Sequence, residues 1–74
     1  MKLPNIEFLI QGNGQITLGR IGPVDCAATA SDEYQSLAML VREPGESLDD
    51  LLLRLDGAIE DAQEREIYAD EINR

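Results

Sequence analysis

The chain contains no histidine, a single cysteine and only six lysines and arginines among its 74 residues, and each scarcity closes off a class of chemistry. Without histidine the usual zinc ligand sets cannot be assembled, and acid/base catalysis loses its commonest participant. Cys26 has no second cysteine to bridge, so no internal disulfide stiffens the chain. Nucleophilic cysteine chemistry wants a histidine or basic neighbour, whereas the nearest charge to Cys26 in sequence is the carboxylate of Asp25. Cys26 therefore reads as an ordinary buried small residue. Six scattered bases do not make the clustered patch that phosphate contact requires, so direct binding of DNA or RNA is not expected. No apolar run approaches the roughly 18 residues that would suggest a membrane span. The N-terminal stretch MKLPNIEFLIQG is interrupted by Glu7 and is followed by no small-residue cleavage site, unlike a signal peptide. The expectation is a soluble, cytoplasmic protein without membrane contact.

What is present is the composition of a globular chain, 43% hydrophobic and 28% charged. Its length allows one domain, and a domain of this size buries only about 60% of the surface its unfolded chain exposes. A thin core without disulfide or metal is often reinforced by self-association, so a homo-oligomer is one possible form.

Residues 5–18, NIEFLIQGNGQITL, read as two short β-rich runs around Gly12-Asn13-Gly14, because Asn-Gly tolerates the positive φ of a tight hairpin turn. Gly14 to Ile21 comes near a phosphate-binding loop, but Arg20 and Ile21 stand where that loop needs Lys and then Ser or Thr. Gly19, Gly22 and Pro23 break the pattern, making Arg20–Pro23 a connection. Two readings fit residues 24–42. VDCAATAS and SLAMLVR can be strands around a polar turn at Asp32–Gln35, with Leu37, Met39 and Val41 on one face; alternatively, apolar residues recurring at three and four positions can form one helix. The strands are favoured because LAMLV is apolar throughout and ends against Pro44-Gly45.

Ser47 marks a helix start. Its hydroxyl can accept from the third helical N–H, and Asp49 and Asp50 suit the positive end of the dipole. Leu48, Leu51, Leu52, Leu55, Ala58, Ile59 and Ala62 fall within roughly a 120° arc at about 100° per residue and form the expected core face of a helix spanning about residues 47–64. The phase is lost after Ala62, which sets residues 67–74 apart as a tail, docked or frayed, behind a single domain at 1–66. The fold class implied is α+β: a small antiparallel sheet, an N-terminal hairpin plus a second hairpin, packed by one amphipathic C-terminal helix.

The net charge of −9 is concentrated in the second half, where residues 43–74 carry eleven acids against three arginines, and residues 1–42 four acids against three bases. On the helix, Asp49, Asp56 and Glu60 share one flank, Asp50 and Asp61 the other, and Glu64 lies between them opposite the core. Leu53 stands in the middle of this wet face, about 140° from Leu48, with Gly57 one turn on. Acids keep a small domain soluble and a lone exposed leucine is ordinary. The sharper reading is a docking surface made of Asp49, Leu53, Asp56, Gly57, Glu60 and Glu64, in which an apolar anchor ringed by carboxylates meets a basic protein surface. No catalytic, cofactor or metal constellation is apparent: nothing signals a cleft that would shift a carboxylate pair, and Asp56-Gly57 lacks the preceding acids of a calcium loop.

The segment Leu37–Ile59, LAMLVREPGESLDDLLLRLDGAI, under a third of the chain, resembles a family of short phage and prophage proteins in which LAMLVR, GESL and an RLD followed by AI recur. In outline it is also similar to the strand, glycine-containing turn and capped helix of HicB-type antitoxins, without the DNA-binding region those carry. The resemblance implies a shared fold, and its phage setting implies a role in binding and inhibiting a host machine. Two functions follow as expectations: a non-enzymatic inhibitor or regulator that docks on a basic host protein, competing with nucleic acid if that surface normally holds it, or a homo-oligomeric structural protein pairing through Leu53, Gly57 and the tail.

Overall fold

The computed structural model describes residues 1–73. Within them the chain runs α1 (Pro4–Gln11), β1 (Gln15–Ile21), β2 (Val24–Ser31), β3 (Ser36–Val41), α2 (Leu48–Arg65) and β4 (Ala69–Asp70), and the strands form one sheet in the order β1-β2-β3-β4. The class is α+β, as expected, but with two helices and a mixed sheet.

The N-terminal hairpin around Gly12-Asn13-Gly14 is overturned, because its first run is α1. Pro4 begins that helix, where a missing N–H costs nothing and its fixed φ fits. Ile6, Phe8 and Ile10 alternate like a strand in sequence, yet burial follows the helical spacing: Ile6 and Leu9 are inside, whereas Phe8 and Ile10 are exposed. The Asn-Gly pair serves as a helix stop. Asn13 adopts the left-handed conformation at φ 73°, and the Gly14 N–H donates to the Leu9 carbonyl at 2.8 Å, the long bond of a Schellman cap. Gly14 is needed for close approach, since a Cβ there would overlap the Leu9 side chain and stand 2.7 Å from the Leu9 carbonyl oxygen.

The first hairpin is instead β1–β2, and only Gly22 and Pro23 of the expected Arg20–Pro23 connection lie outside the strands. β2 and β3 form the second hairpin about Asp32–Gln35, where Asp32 Oδ1 accepts from the N–H groups of Tyr34 and Gln35, each at 2.8 Å. Pairs Ile16↔Ala30↔Ala38 and Leu18↔Ala28↔Leu40 share one face, and pairs Thr17↔Thr29↔Met39 and Gly19↔Ala27↔Val41 the other. Leu37, expected beside Met39 and Val41, parts from them at a bulge, where it and Ala38 both enter the core.

α2 begins as expected: Ser47 Oγ accepts from the Asp50 N–H at 3.0 Å. Its buried stripe is Leu51, Leu55, Ile59 and Ala62, packed with Ile6 and Leu9 of α1 and with Ala28, Ala30, Leu37, Ala38 and Leu40 of the sheet. Leu51, Leu55 and Ile59 are fully enclosed and each should contribute about 1.5–3 kcal/mol. Leu52 and Ala58 line the edge of this cluster, while Leu48, placed in the core by periodicity, is exposed. Periodicity identifies a helix face; it cannot show where the layer beneath that face ends. Alanines on β2 and β3 let α2 approach the sheet closely.

α2 ends at Glu66, which takes the left-handed conformation at φ 56°, and the Ile67 N–H donates to the Asp61 carbonyl at 3.2 Å. The reversal returns the chain to the sheet, where β4 pairs in parallel with β3 through Ala38↔Ala69 and Met39↔Asp70. Parallel neighbours need a crossover, and α2 supplies it. Of the two fates open to the tail, docking is therefore the one adopted by Ala69 and Asp70; Arg74 lies outside the described residues.

Replacing Gly14 by Ala is expected to destabilise the fold by about 1–3 kcal/mol, the usual range for overpacking, as read from the urea midpoint.

Candidate functional site

α2 is engaged on three sides. Its core stripe faces the sheet, and on one flank Asp56 reaches the start of α1. Leu3, the residue before α1, offers no side-chain cap. Asp56 Oδ1 instead accepts from the backbone N–H groups of Asn5 and Ile6, both at 2.9 Å, and its Oδ2 accepts from the Asn5 side-chain amide at 3.0 Å. With Pro4 lacking an N–H and the Glu7 N–H bound to the Leu3 carbonyl at 2.9 Å, every donor of α1's first turn is accounted for. Asp56 is only 8% exposed. It leaves the candidate docking surface: its carboxylate caps a helix 50 residues away in sequence and is turned inward.

On the opposite flank Arg54 gathers three segments. Its guanidinium donates to Glu46 Oε2 at 2.9 Å through Nε, to Glu71 Oε2 at 2.8 Å through Nη1, and to the Val41 carbonyl at 2.9 Å through Nη2. Glu71 Oε1 accepts from the Val41 N–H at 2.9 Å, and Glu46 Oε1 from the Glu43 N–H at 2.9 Å. One cation thus clasps the end of β3, the turn into α2 and the tail. The hydrogen bond from Arg54, helped by the Glu43 N–H, holds the Glu46 carboxyl below its ordinary value of 4.5, and Glu46 in turn holds the Arg54 guanidinium above its own.

The remaining candidates occupy the outer back of α2. Asp49, Leu53, Gly57 and Glu64 are exposed and Glu60 half-exposed. Leu53 keeps 48% of its surface. At Gly57 no atom of the described residues beyond its chain neighbours and the helix's own backbone lies within 4 Å of where a Cβ would stand, so the helix is open to approach there. Arg65 lies 2.8 Å from Asp61 and 3.9 Å from Glu60, partly neutralising that end of the stripe. The structure thus keeps Asp49, Leu53, Gly57, Glu60 and Glu64 on one surface and removes Asp56.

Sequence reasoning missed a second feature. Phe8, Tyr34 and Tyr68 are all exposed, although their types favour burial or interfaces. Phe8 was hidden by the strand assignment of its segment, and Tyr34 by its place in a turn. Cys26 is a free, half-buried thiol that packs against the core cluster. Among the described residues no group of acids and cysteine is arranged to hold a metal ion, and no helix is long and apolar enough to cross a membrane. Compared with protein-family models, curated proteins and solved structures, the chain matches none.

Two outcomes follow from the flanks of α2. Asp56→Ala leaves two first-turn N–H groups of α1 without partners and should cost about 1–3 kcal/mol in urea unfolding, whereas Asp49→Ala should fall within about 0.5 kcal/mol. Glu46 ionises more readily folded than unfolded, so its contribution is complete above the unfolded value and is lost as pH falls through the lower folded one. Urea midpoints at about pH 7 and about pH 3 should therefore differ less in Glu46→Gln than in the unmodified protein.

Proposed function

We propose that the protein is a small acidic binding protein, a regulator or inhibitor, that docks the outer back of α2 onto a basic protein surface. The observation that carries this reading is the position of Leu53, an exposed leucine set among Asp49, Glu60 and Glu64 on a helix whose other sides are occupied. An exposed leucine is ordinary by itself; what sets Leu53 apart is the ring of carboxylates around it and the open helix backbone at Gly57. Leu53 would enter a pocket of the partner, the carboxylates would speed and orient encounter, and Gly57 would let the partner approach the helix backbone. Where that basic surface otherwise holds nucleic acid, the carboxylates take the place of phosphates. The inhibitory sense and the phage or mobile-element origin rest on the resemblance carried by Leu37–Ile59; the surface itself supports binding.

A second reading, self-association, draws on the sheet face bearing Thr17, Thr29, Met39 and Val41, which lies outside the hydrophobic cluster, and on Leu53 and Gly57. Pairing through the tail is less suited to it, because Ala69 and Asp70 already pair with β3 and Glu71 holds Arg54.

Leu53→Asp should lower affinity for a partner captured from a lysate of the producing cells by at least about tenfold, with the fold intact. Lysine at Asp49, Glu60 and Glu64 should weaken the same capture, and rising salt should do so steeply. Capture that resists both the charge reversal and salt, together with concentration-dependent dimers lost in Leu53→Asp, would establish self-association instead.

A further inference from the structure

All three aromatic side chains of this chain lie at the surface, Phe8 71%, Tyr34 87% and Tyr68 45% exposed, while the core is aliphatic and alanine. Burying such rings is among the larger gains open to a thin core, so their exposure calls for a function. They lie about one end of the molecule. Phe8 and Tyr34 line a groove of about 210 Å³ with Gly12, Asp32, Glu33 and Gln63. Tyr68 belongs to the same end, its hydroxyl accepting from the side-chain amide of Gln35 at 3.3 Å.

The groove is formed by elements whose geometry is fixed elsewhere. The α1 wall ends in the Asn13–Gly14 cap, with the Gly12 N–H bound to the Phe8 carbonyl at 3.1 Å. The hairpin wall is held by the Asp32 turn, whose carboxylate receives the Tyr34 and Gln35 N–H groups. Gln63 lies two turns beyond Asp56 on α2, so the carboxylate that seats the start of α1 also places its far end beside this glutamine.

We infer that this groove receives an arginine side chain from a basic segment of a partner protein. Its size is below the roughly 300–1,000 Å³ of small-molecule pockets and suits one long side chain. Its chemistry selects a cation: aromatic faces attract guanidinium through the ring quadrupole, and Asp32 and Glu33 lie beside them. Among the described residues no lysine or arginine lines the groove, and the chain's charge of −9 repels an anionic guest. Arginine fits better than lysine, since a planar guanidinium stacks on a ring while donating in its plane to carboxylates. This rests on the proposed docking to a basic protein and adds a contact on a separate surface.

The test is a titration of the isotope-labelled full chain, followed by amide NMR, with an acetylated Gly-Arg-Gly peptide and with its citrulline counterpart, equal in shape but uncharged. Shifts should concentrate at Phe8, Gly12, Tyr34 and Gln63. Affinity should be at least about fivefold weaker for citrulline, and weaker by a similar factor in Tyr34→Ala, whose exposed side chain is not needed for folding. Shifts confined to the outer back of α2, an equal response to citrulline, indifference to Tyr34→Ala, or no shifts would each overturn the proposal. Leu53→Asp should leave the titration unchanged. Failure of the α2 surface alone would appear as lysate capture that survives Leu53→Asp beside a successful titration; failure of the groove alone would appear as the reverse.

Discussion

The carboxylate of Asp56 holds together two helices that sequence separates by more than half the chain. A helix of eight residues is too short to be stable by itself, and α1 has no residue of its own able to cap its start. It persists because Ile6 and Leu9 bury against the core and because Asp56 accepts the N–H groups that would otherwise be left without partners. An apolar contact alone would permit sliding and rotation. Two hydrogen bonds to one oxygen fix the axial position of α1, and that position decides where Phe8 and Gly12 stand.

A helix with one side on a sheet usually keeps the rest for solvent. α2 gives one flank to Asp56 and the other to Arg54, whose contacts with Glu46, Glu71 and Val41 close the turn into the helix and fasten the tail that follows it. Three of the eleven acids in the second half of the chain, Glu46, Asp56 and Glu71, serve the fold in this way. The surfaces proposed for a partner are therefore narrower than composition suggests: a stripe from Asp49 to Glu64 around Leu53, and the aromatic end. Both are carried by segments whose backbones are secured, which reduces the ordering cost of binding.

Legibility in the sequence followed locality. The start of α2 could be read from Ser47 and its acids, and the core stripe from Leu51 to Ala62, because the capping and packing patterns lie within neighbouring turns of one helix. The β2–β3 hairpin was legible for the same reason. Asn13-Gly14 was ambiguous in kind, since a positive φ ends a helix as readily as it turns a hairpin, and the β-rich residues of NIEFLI favoured the hairpin. Asp56 is not recognisable as a cap from sequence, for its partners belong to a segment whose composition favours a strand. Its place beside Asp49 and Glu60 on a helical wheel was correct, and its neighbour across that flank was missing. β4 escaped because two residues carry no pattern of their own, and their strand character comes from pairing with β3. The exposure of Phe8 likewise depends on the placement of α1.

The measurement that bears most directly on this arrangement is amide hydrogen exchange at Asn5 and Ile6 in the unmodified protein. First-turn amides of a helix have no partner within it and ordinarily exchange freely. Bonded to a buried carboxylate, they should be protected to a free energy close to that of Leu51, Leu55 and Ile59. Exchange at the rate of an unfolded chain, with those three residues still protected, would contradict the role of Asp56 and the placement of α1 that depends on it.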